Sequence, residues 1–326
     1  MFGYVSFAHL AAAIRRQLHL VPSTVDLVVG IPRSGMIPAY QIGLFLNRHV
    51  TDLESFLLDR DLGHGSTRRP AFALASPRQA RHVLLVDDSI ASGASLQRVL
   101  ERIASSGFKG RLSTCAAIVA PSQRVSVDVS FITMPQPRIF EWNAFHHACI
   151  ENACFDLDGV LCVDPLEHDN DDGPRYRRFL SNARPLFTPS VKIGHIVSAR
   201  LEKYRDLTEA WLAANGIRYG ALHLLDLPNK EARMRLNAHS QHKARLYRET
   251  GASLFYESDP GQARDIARAS GKPVLCVADM SMVLPDALDP RVAIKSMLWN
   301  LHRPLGYAKG WLKQRLRAQR GALEEG

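Results

Sequence analysis

The sequence lacks the features that would place a protein in a membrane or outside the cell. It has no run of about eighteen or more apolar residues, the length that a membrane-spanning helix requires. Its amino terminus has no basic stretch followed by an apolar one, so we expect no secretory signal. Cysteine is scarce: the 326 residues include five, and an odd number in a chain of this length indicates reduced thiols. We therefore expect a cytoplasmic protein.

The chain is not uniformly basic along its length, although its formal net charge is +9. Residues 1–150 have a net charge of +5, residues 151–290 of −2 and residues 291–326 of +6. Because the charge is divided in this way, we expect no nucleic-acid partner. Residues 307–320 are basic and amphipathic, which suits a peripheral contact with an anionic inner-membrane surface. The alternative is a helix that packs on its own domain with a solvated basic face.

The pattern of apolar segments predicts an α/β protein with two domains. The length exceeds that of one ordinary domain, and short apolar strands alternate with amphipathic helices. The alternation restarts after a proline-rich stretch at residues 135–138, which indicates a domain boundary. We predict a first domain over residues 1–148, a second over residues 149–290 and a basic helical tail over residues 291–326.

The most informative segment of the first half is a strand that ends in two adjacent carboxylates. The apolar residues 83–86 are followed by Asp87 and Asp88, and a loop of small residues then leads into a helix predicted to begin near Ala94. Backbone N–H groups at a helix start can bind a phosphate, and carboxylates beside them can accept hydrogen bonds from vicinal hydroxyls. The pattern therefore indicates a ribose 5-phosphate site. A helix-capping aspartate without a ligand is the alternative.

This segment resembles the phosphoribosyl pyrophosphate signature of the type I phosphoribosyltransferases. The resemblance implies that Asp87 and Asp88 hold the ribose hydroxyls. The residues that it implies for the 5-phosphate are Ala91, Ser92, Gly93, Ala94 and Ser95.

The same family has a tight loop that grips the pyrophosphate and a flexible hood over the site. In this sequence the loop is residues 30–35, and the residues implied to bind pyrophosphate are Arg33, Ser34 and Gly35. The hood corresponds to residues 59–80, where Arg68 and Arg69 would clamp the pyrophosphate. Residues 140–143 lie where the family closes its acceptor pocket. Two interpretations are equally compatible with the sequence: these residues stack on an acceptor ring, or they seal the domain junction.

The second half has a different pair of carboxylates, at positions i and i+2. Asp156 and Asp158 follow the apolar strand 153–155, and this spacing makes two side chains face the same way. One carboxylate can attack phosphorus while the other handles the proton of the leaving oxygen. A calcium-binding loop is the alternative, but the glutamate that would complete one is missing.

This pair resembles the first motif of the haloacid dehalogenase-like phosphatases, and three more motifs follow in the family's order. The catalytic residues that the resemblance implies are Asp156, Asp158, Ser198 and Lys243. It also implies a Mg²⁺ site formed by Asp156, the carbonyl of Asp158, Glu257 and Asp259. The sequence departs from the family here, because it has Glu-Ser-Asp in place of adjacent acids or a Gly-Asp pair. We favour Glu257 as the metal ligand, with Asp259 second.

Together the two resemblances imply two Rossmann-like domains, each a mostly parallel sheet flanked by helices, with a minimal cap on the second. They predict a bifunctional enzyme that uses phosphoribosyl pyrophosphate, transfers the 5-phosphoribosyl group and then removes the 5-phosphate. The predicted acceptor is a glycan, which would receive ribofuranose within a bacterial polysaccharide. If this glycan is linked to a lipid, a membrane contact of the basic tail would bring the enzyme close to it. The alternatives are a nucleobase acceptor in nucleotide salvage and a regulator that senses phosphoribosyl pyrophosphate.

Overall fold

The computed structural model describes residues 3–63, 65, 67, 70–121, 126–235 and 238–285. The chain divides into two compact units, Met1–Ala144 and Phe145–Gly326. The division lies four residues before the boundary proposed from the sequence, after residue 148. The predicted basic tail, residues 291–326, lies outside the described residues.

The first unit is built around a parallel sheet. Its strands are β1 (Gly3–Val5), β2 (Leu27–Gly30), β3 (His49–Asp52), β4 (His82–Ser89), β5 (Arg111–Val119), β6 (Ile132–Thr133) and β7 (Arg138–Phe140). Its helices are α1 (Phe7–Arg16), α2 (Met36–Leu46), α3 (Leu53–Leu57) and α4 (Ala94–Ser105). The sheet has the strand order β3-β2-β4-β5-β6, and β1 pairs with β7 separately. The strands β2 and β4 are therefore central neighbours.

The side chains of the central strands alternate between two apolar clusters, one on each face of the sheet. Val28 and Leu84 pack in the cluster that contains residues of α1 and α2. Leu27 and Leu85 pack in the cluster that contains residues of α4. A parallel sheet covered on both faces needs strands that are apolar throughout. This is why β2 and the first part of β4 appear in the sequence as uninterrupted apolar runs.

The second unit contains another mostly parallel sheet. Its strands are β8 (Ala153–Phe155), β9 (Ile193–Leu201), β10 (Tyr219–Leu225), β11 (Leu254–Glu257), β12 (Val274–Cys276) and β13 (Ser281–Val283). Its helices are α5 (Pro174–Asn182), α6 (Arg205–Ala214), α7 (Lys230–Arg235), α8 (Ala238–Glu249) and α9 (Pro260–Ser270). The order is β10-β9-β8-β11-β12-β13, with only β13 antiparallel to its neighbour. Both sheets confirm the predicted α/β class.

Packing in the second unit explains the positions of its helices. Tyr247 of α8 and Ile266 of α9 lie in one apolar cluster with Phe255 of β11. The insert between β8 and β9 contains α5, whose Leu180 packs with Tyr204 near the start of α6. This insert is the segment predicted to form a minimal cap, and that role stays a prediction.

Two further expectations concern the membrane and the thiols. Among the described residues, no helix has both the length and the apolar character needed to cross a bilayer. All five cysteines are free, and four of them are buried: Cys115, Cys154, Cys162 and Cys276. The fifth, Cys149, is half-buried.

Candidate active sites

The fold brings the two predicted motifs of the first unit together. Gly30 at the end of β2 is in register with Val86 of β4, and the Ile31 N–H donates to the Val86 carbonyl at 2.9 Å. A Cβ on Gly35 would lie 2.5 Å from the Ile31 carbonyl oxygen and 2.8 Å from that of Val86. Only glycine allows the loop this close to the strand. The predicted pyrophosphate residues Arg33, Ser34 and Gly35 therefore lie beside the carboxyl end of β4.

The adjacent acids Asp87 and Asp88 lie within β4, which extends to Ser89. Asp88 is buried, with 8% of its surface exposed, and Asp87 is half-buried. The Asp88 N–H donates to Oδ1 of Asp87 at 2.9 Å. Burial, and then the charge of Asp88, raise the pKa of Asp87 to about 7. The pair therefore combines close acceptor oxygens with a proton-binding group that titrates near neutral pH.

The small-residue loop after β4 leads directly into α4. Gly93 has a φ of 83°, in the left-handed region, and α4 begins at the next residue. The N-cap residue Gly93 has no side chain to cap the helix, and the Ser92 hydroxyl accepts from the Ala94 N–H at 3.4 Å. The residues of the loop that are exposed are Ala91, Ser92, Ala94 and Ser95. A helix start with exposed backbone and hydroxyls suits a phosphate. The position at the strand end agrees with the predicted 5-phosphate site, which stays a prediction.

A residue that the motif analysis did not connect with these acids also contacts them. The indole Nε1–H of Trp142 donates to Oδ2 of Asp88 at 2.8 Å. The sequence analysis singled out residues 140–143 for stacking or for sealing a junction, and neither interpretation included this hydrogen bond. The partners are 54 residues apart, so no local spacing could have indicated the contact.

The proposed hood, residues 59–80, is described only in part. The Leu62 N–H donates to the Ala75 carbonyl at 2.8 Å, and Arg78 pairs with Asp59 at 3.5 Å. These contacts join the two ends of the segment. The two predicted pyrophosphate clamps, Arg68 and Arg69, lie outside the described residues.

In the second unit, a buried lysine joins the acids of two motifs. The Lys243 ammonium lies 2.6 Å from Oδ2 of Asp156 and 2.7 Å from Oε2 of Glu257, and it also contacts Gln262 at 3.0 Å. Asp156 follows β8, Glu257 ends β11 and these strands are neighbours. The parallel register thus places three of the predicted residues in one buried cluster.

The charges in this cluster determine the pKa values of its members. Burial lowers the pKa of Lys243, but the charges of Asp156 and Glu257 outweigh it and hold that pKa above its ordinary value. Burial raises the pKa of Asp156, against the opposing effect of the Lys243 charge. The cluster is therefore one strongly interacting ionic unit in a dry environment.

The second carboxylate of the motif, Asp158, pairs with an arginine that the sequence analysis did not name. The guanidinium of Arg200 contacts both oxygens of Asp158, with 2.6 Å between Nη2 and Oδ1 and 3.1 Å between Nε and Oδ2. The Arg200 side chain is fully buried, whereas that of Asp158 is 19% exposed. This is a two-pronged arrangement of the kind that fixes a carboxylate in one orientation.

Ser198 is buried inside a strand. Strand β9 continues to Leu201, so Ser198 lies within it and is 1% exposed. Its Oγ accepts a hydrogen bond from the Arg200 N–H at 3.3 Å. The two residues after it, Ala199 and Arg200, are also buried.

The predicted Mg²⁺ residues have other partners through their carboxylates. Among the described residues, no group of three or more His, Cys, Asp or Glu side chains is placed to hold a metal ion. The Asp158 carboxylate faces Arg200, Asp156 and Glu257 both bind Lys243, and Asp259 caps α9 by accepting from the Gln262 N–H at 2.7 Å. The prediction takes the backbone carbonyl of Asp158 as a ligand, and this carbonyl accepts from the Ser258 hydroxyl at 3.4 Å. Carboxylate and carbonyl oxygens are the donors that Mg²⁺ prefers, and the site stays a prediction.

One more acid near these residues was missed. A Cβ on Gly159 would lie 2.8 Å from Oδ2 of Asp164, so Asp164 approaches the chain just after the carboxylate pair. Burial, and then the charge of Asp158, raise the pKa of Asp164. Asp164 lies outside the motifs quoted above, so no signal in the sequence indicated it.

Comparison with known proteins bears on the first unit. Residues 4–150 match the family model described as the phosphoribosyl transferase domain. No curated protein matched the chain.

Several solved structures resemble part of the chain. A purine phosphoribosyltransferase from Pyrococcus horikoshii is 21% identical with a TM-score of 0.31, over 43% of this chain and 93% of that one. A xanthine-guanine-hypoxanthine phosphoribosyltransferase from Helicobacter pylori is 14% identical with a TM-score of 0.34, over 44% and 93%. A hypothetical protein from Neisseria gonorrhoeae with bound ppGpp is 14% identical with a TM-score of 0.33, over 44% and 90%. The finding that bears on the family is therefore the match of residues 4–150, somewhat less than half of the chain, to the phosphoribosyl transferase domain model.

Proposed function

We propose that the first unit transfers the 5-phosphoribosyl group of phosphoribosyl pyrophosphate to an acceptor. The observation that carries this proposal is the meeting of two motifs at the ends of β2 and β4, within a phosphoribosyl transferase domain. In the reaction, the bond between C1 of the ribose and the pyrophosphate oxygen breaks. A bond from C1 to the acceptor forms, and the acceptor loses a proton.

The residues of this unit would bind the parts of the donor separately. Asp87 and Asp88 accept hydrogen bonds from the ribose hydroxyls, and the backbone at the start of α4 binds the 5-phosphate. Arg33, on the loop after β2, contacts the pyrophosphate. Mg²⁺ supplies charge neutralisation of the pyrophosphate when it is bound. The protein's part is to hold C1 in place while the pyrophosphate leaves.

We further propose that the second unit removes the 5-phosphate from the transferred group. The cluster of Lys243 with Asp156 and Glu257 supports this, because a buried carboxylate beside a fixed cation can serve as a nucleophile towards a phosphoryl group. The Asp156 oxygen would bond to phosphorus as the phosphate ester bond breaks, and Asp158, ionised beside Arg200, would relay a proton from solvent to the leaving oxygen. Water would then hydrolyse the aspartyl phosphate and restore Asp156.

The proposed acceptor is a sugar hydroxyl of a glycan, so that the product is a ribofuranosyl group within a bacterial polysaccharide. The reason is chemical: a phosphatase in the same chain would remove the 5-phosphate, which a nucleotide made by salvage must retain. A lipid-linked acceptor would suit the basic segment beyond the described residues. A nucleobase acceptor is the competing proposal.

The test is mass spectrometry of the products that the full chain forms from phosphoribosyl pyrophosphate and Mg²⁺. Glycan acceptors and free nucleobases are supplied separately. A ribosylated glycan without phosphate is the expected product, and Asp156→Asn should leave the phosphate on it. Ribosylation of nucleobases alone would overturn the glycan proposal. If no acceptor is ribosylated although phosphoribosyl pyrophosphate binds, the protein is a sensor.

A further inference from the structure

The hydrogen bond between Trp142 and Asp88 connects a segment outside the recognised motif to the acidic pair. The indole N–H is 2.8 Å from Oδ2 of Asp88, and Asp88 is 8% exposed. A neutral donor thus already occupies one oxygen of this carboxylate before any ligand arrives. The Asp88 carboxylate also lies within hydrogen-bonding reach of the Asp87 side chain, so the indole N–H is one of the groups that set its orientation.

The indole itself is held in place by its neighbours. The ring of Phe140 stacks on it with 4.9 Å between centroids, and the ring of Phe7 packs on it at 5.5 Å. Two hydrogen bonds fix the backbone on either side: Glu141 Oε2 accepts from the Phe7 N–H at 2.7 Å, and Asn143 Oδ1 accepts from the Phe140 N–H at 3.0 Å. The donor therefore has a fixed direction, and the rings packed on the indole leave it poorly suited to stack on an acceptor.

A second contact attaches the same segment to the loop after β4. Arg138 is 3% exposed, and its guanidinium donates to the Ile90 carbonyl at 2.8 Å and to the Met134 carbonyl at 2.9 Å. Ile90 lies between the acidic pair and the proposed phosphate loop. The segment 138–142 is thus joined at two points to the strand end that would hold the ribose.

We propose that Trp142 is a positioning residue for the donor sugar, which orients the Asp88 carboxylate towards a ribose hydroxyl. This inference rests on the proposed role of Asp88 in binding phosphoribosyl pyrophosphate. It predicts that Trp142 affects ligands that contain the ribose and leaves the binding of pyrophosphate alone unchanged. It assigns to residues 140–143 a role different from acceptor stacking and from sealing a junction.

The test compares the affinities of Trp142→Phe for two ligands, measured by calorimetry on the full chain with Mg²⁺. Loss of one hydrogen bond to a charged group predicts an increase of about tenfold in the Kd of phosphoribosyl pyrophosphate. The Kd of inorganic pyrophosphate, which lacks the ribose, should stay within about twofold. If the affinities for both ligands weaken equally, Trp142 has a merely structural role. If neither affinity changes, Trp142 does not position the donor sugar.

Two controls separate this inference from the proposed function. Trp211→Phe makes the same chemical change in the second unit, where the indole donates to the Ala183 carbonyl at 2.8 Å, and should leave both affinities unchanged. Asp88→Asn should weaken binding of phosphoribosyl pyrophosphate. If it does not, the proposed role of Asp88 fails. If Asp88→Asn weakens binding and Trp142→Phe does not, only the role of Trp142 fails.

A second variant covers the case in which Trp142→Phe does not fold. Benzothienylalanine at position 142 keeps the bicyclic shape and removes the N–H donor. It should give the same selective loss for phosphoribosyl pyrophosphate. An affinity equal to that of the unmodified chain would overturn the proposal, as would a change confined to the KM of the acceptor.

Discussion

The guanidinium of Arg200 is fully buried and contacts both carboxylate oxygens of Asp158, with 2.6 Å between Nη2 and Oδ1. The two residues are 42 positions apart, on β9 and in the loop after β8. These strands are parallel neighbours, so the pairing follows from the topology of the sheet. It gives the second proposed catalytic carboxylate a single orientation.

Arg200→Lys tests whether this orientation matters for phosphate release. Lysine keeps the charge but has no planar fork, so the carboxylate loses its two-pronged contact. We expect the kcat for hydrolysis of ribose 5-phosphate to fall by about 10- to 100-fold with little change in KM. Arg205→Lys is the matched control, because Arg205 is one-third exposed and pairs with Glu209 at the surface. An unchanged kcat in Arg200→Lys would show that Asp158 does not need this contact.

Lys243→Met should destabilise the second unit strongly. The change leaves Asp156 and Glu257 buried without their cation, and breaking a buried ion pair costs about 3–5 kcal/mol. Lys203→Met is the control: it removes a pair with Asp172 in which the lysine is 40% exposed, so it should cost less than about 1 kcal/mol. Urea unfolding measures both. If the two variants lose equal free energies of unfolding, burial of the Lys243 ion pairs does not determine the size of the loss.

The pKa of Asp87 predicts how the stability of the first unit depends on pH. Because the folded pKa is raised to about 7, the folded state retains a proton that the unfolded state loses near pH 4. Stability from this group therefore falls as pH rises from about 4 to about 7 and is constant above that range.

Asp87→Asn removes this dependence. The variant should resemble the unmodified chain near pH 4 and be more stable by about 2–4 kcal/mol at pH 8. Thermal unfolding at several pH values measures the difference. A stability difference that does not change with pH would mean that Asp87 has an ordinary pKa. Loss of phosphoribosyl pyrophosphate binding in the same variant is expected from its proposed contact with the ribose.

Gly35→Ala tests the close approach of the loop to β4. The added Cβ would lie 2.5 Å from the Ile31 carbonyl oxygen, so the loop must move. We expect a loss of about 1–3 kcal/mol in stability and weaker pyrophosphate binding. At Gly63 a Cβ would have no atom within 4 Å, so Gly63→Ala should leave the stability nearly unchanged. Normal pyrophosphate binding by Gly35→Ala would show that this loop does not form the site.

Local patterns predicted much of the fold. The helix predicted to begin near Ala94 is α4, which begins at that residue, directly after a glycine in a left-handed conformation. At the start of α1, the Ser6 Oγ accepts from the His9 N–H, a cap that serine commonly provides. Strand β3 was missed because His49–Asp52 is short and half polar, although the neighbouring β2 makes it part of the sheet.

The sequence indicated those site residues that lie in a continuous motif or in a motif that resembles a known family. Lys243 was expected near Asp156 from the order of motifs, and the structure places them 2.6 Å apart. The contacts of Asp88 with Trp142 and of Asp158 with Arg200 join segments far apart in the chain. Asp259 was predicted as a Mg²⁺ ligand second to Glu257, and its helix-capping hydrogen bond from the Gln262 N–H was not predicted. Only the three-dimensional packing distinguishes these roles.

The most direct test of the account uses phosphoribosyl pyrophosphate that is radiolabelled in its 5-phosphate. The full chain is incubated with this donor, Mg²⁺ and a glycan acceptor, and the label is followed. The account predicts a ribosylated glycan without label and label in inorganic phosphate, with Asp156→Asn leaving the label on the glycan. A ribosylated product that keeps its label in the unmodified chain would contradict the account.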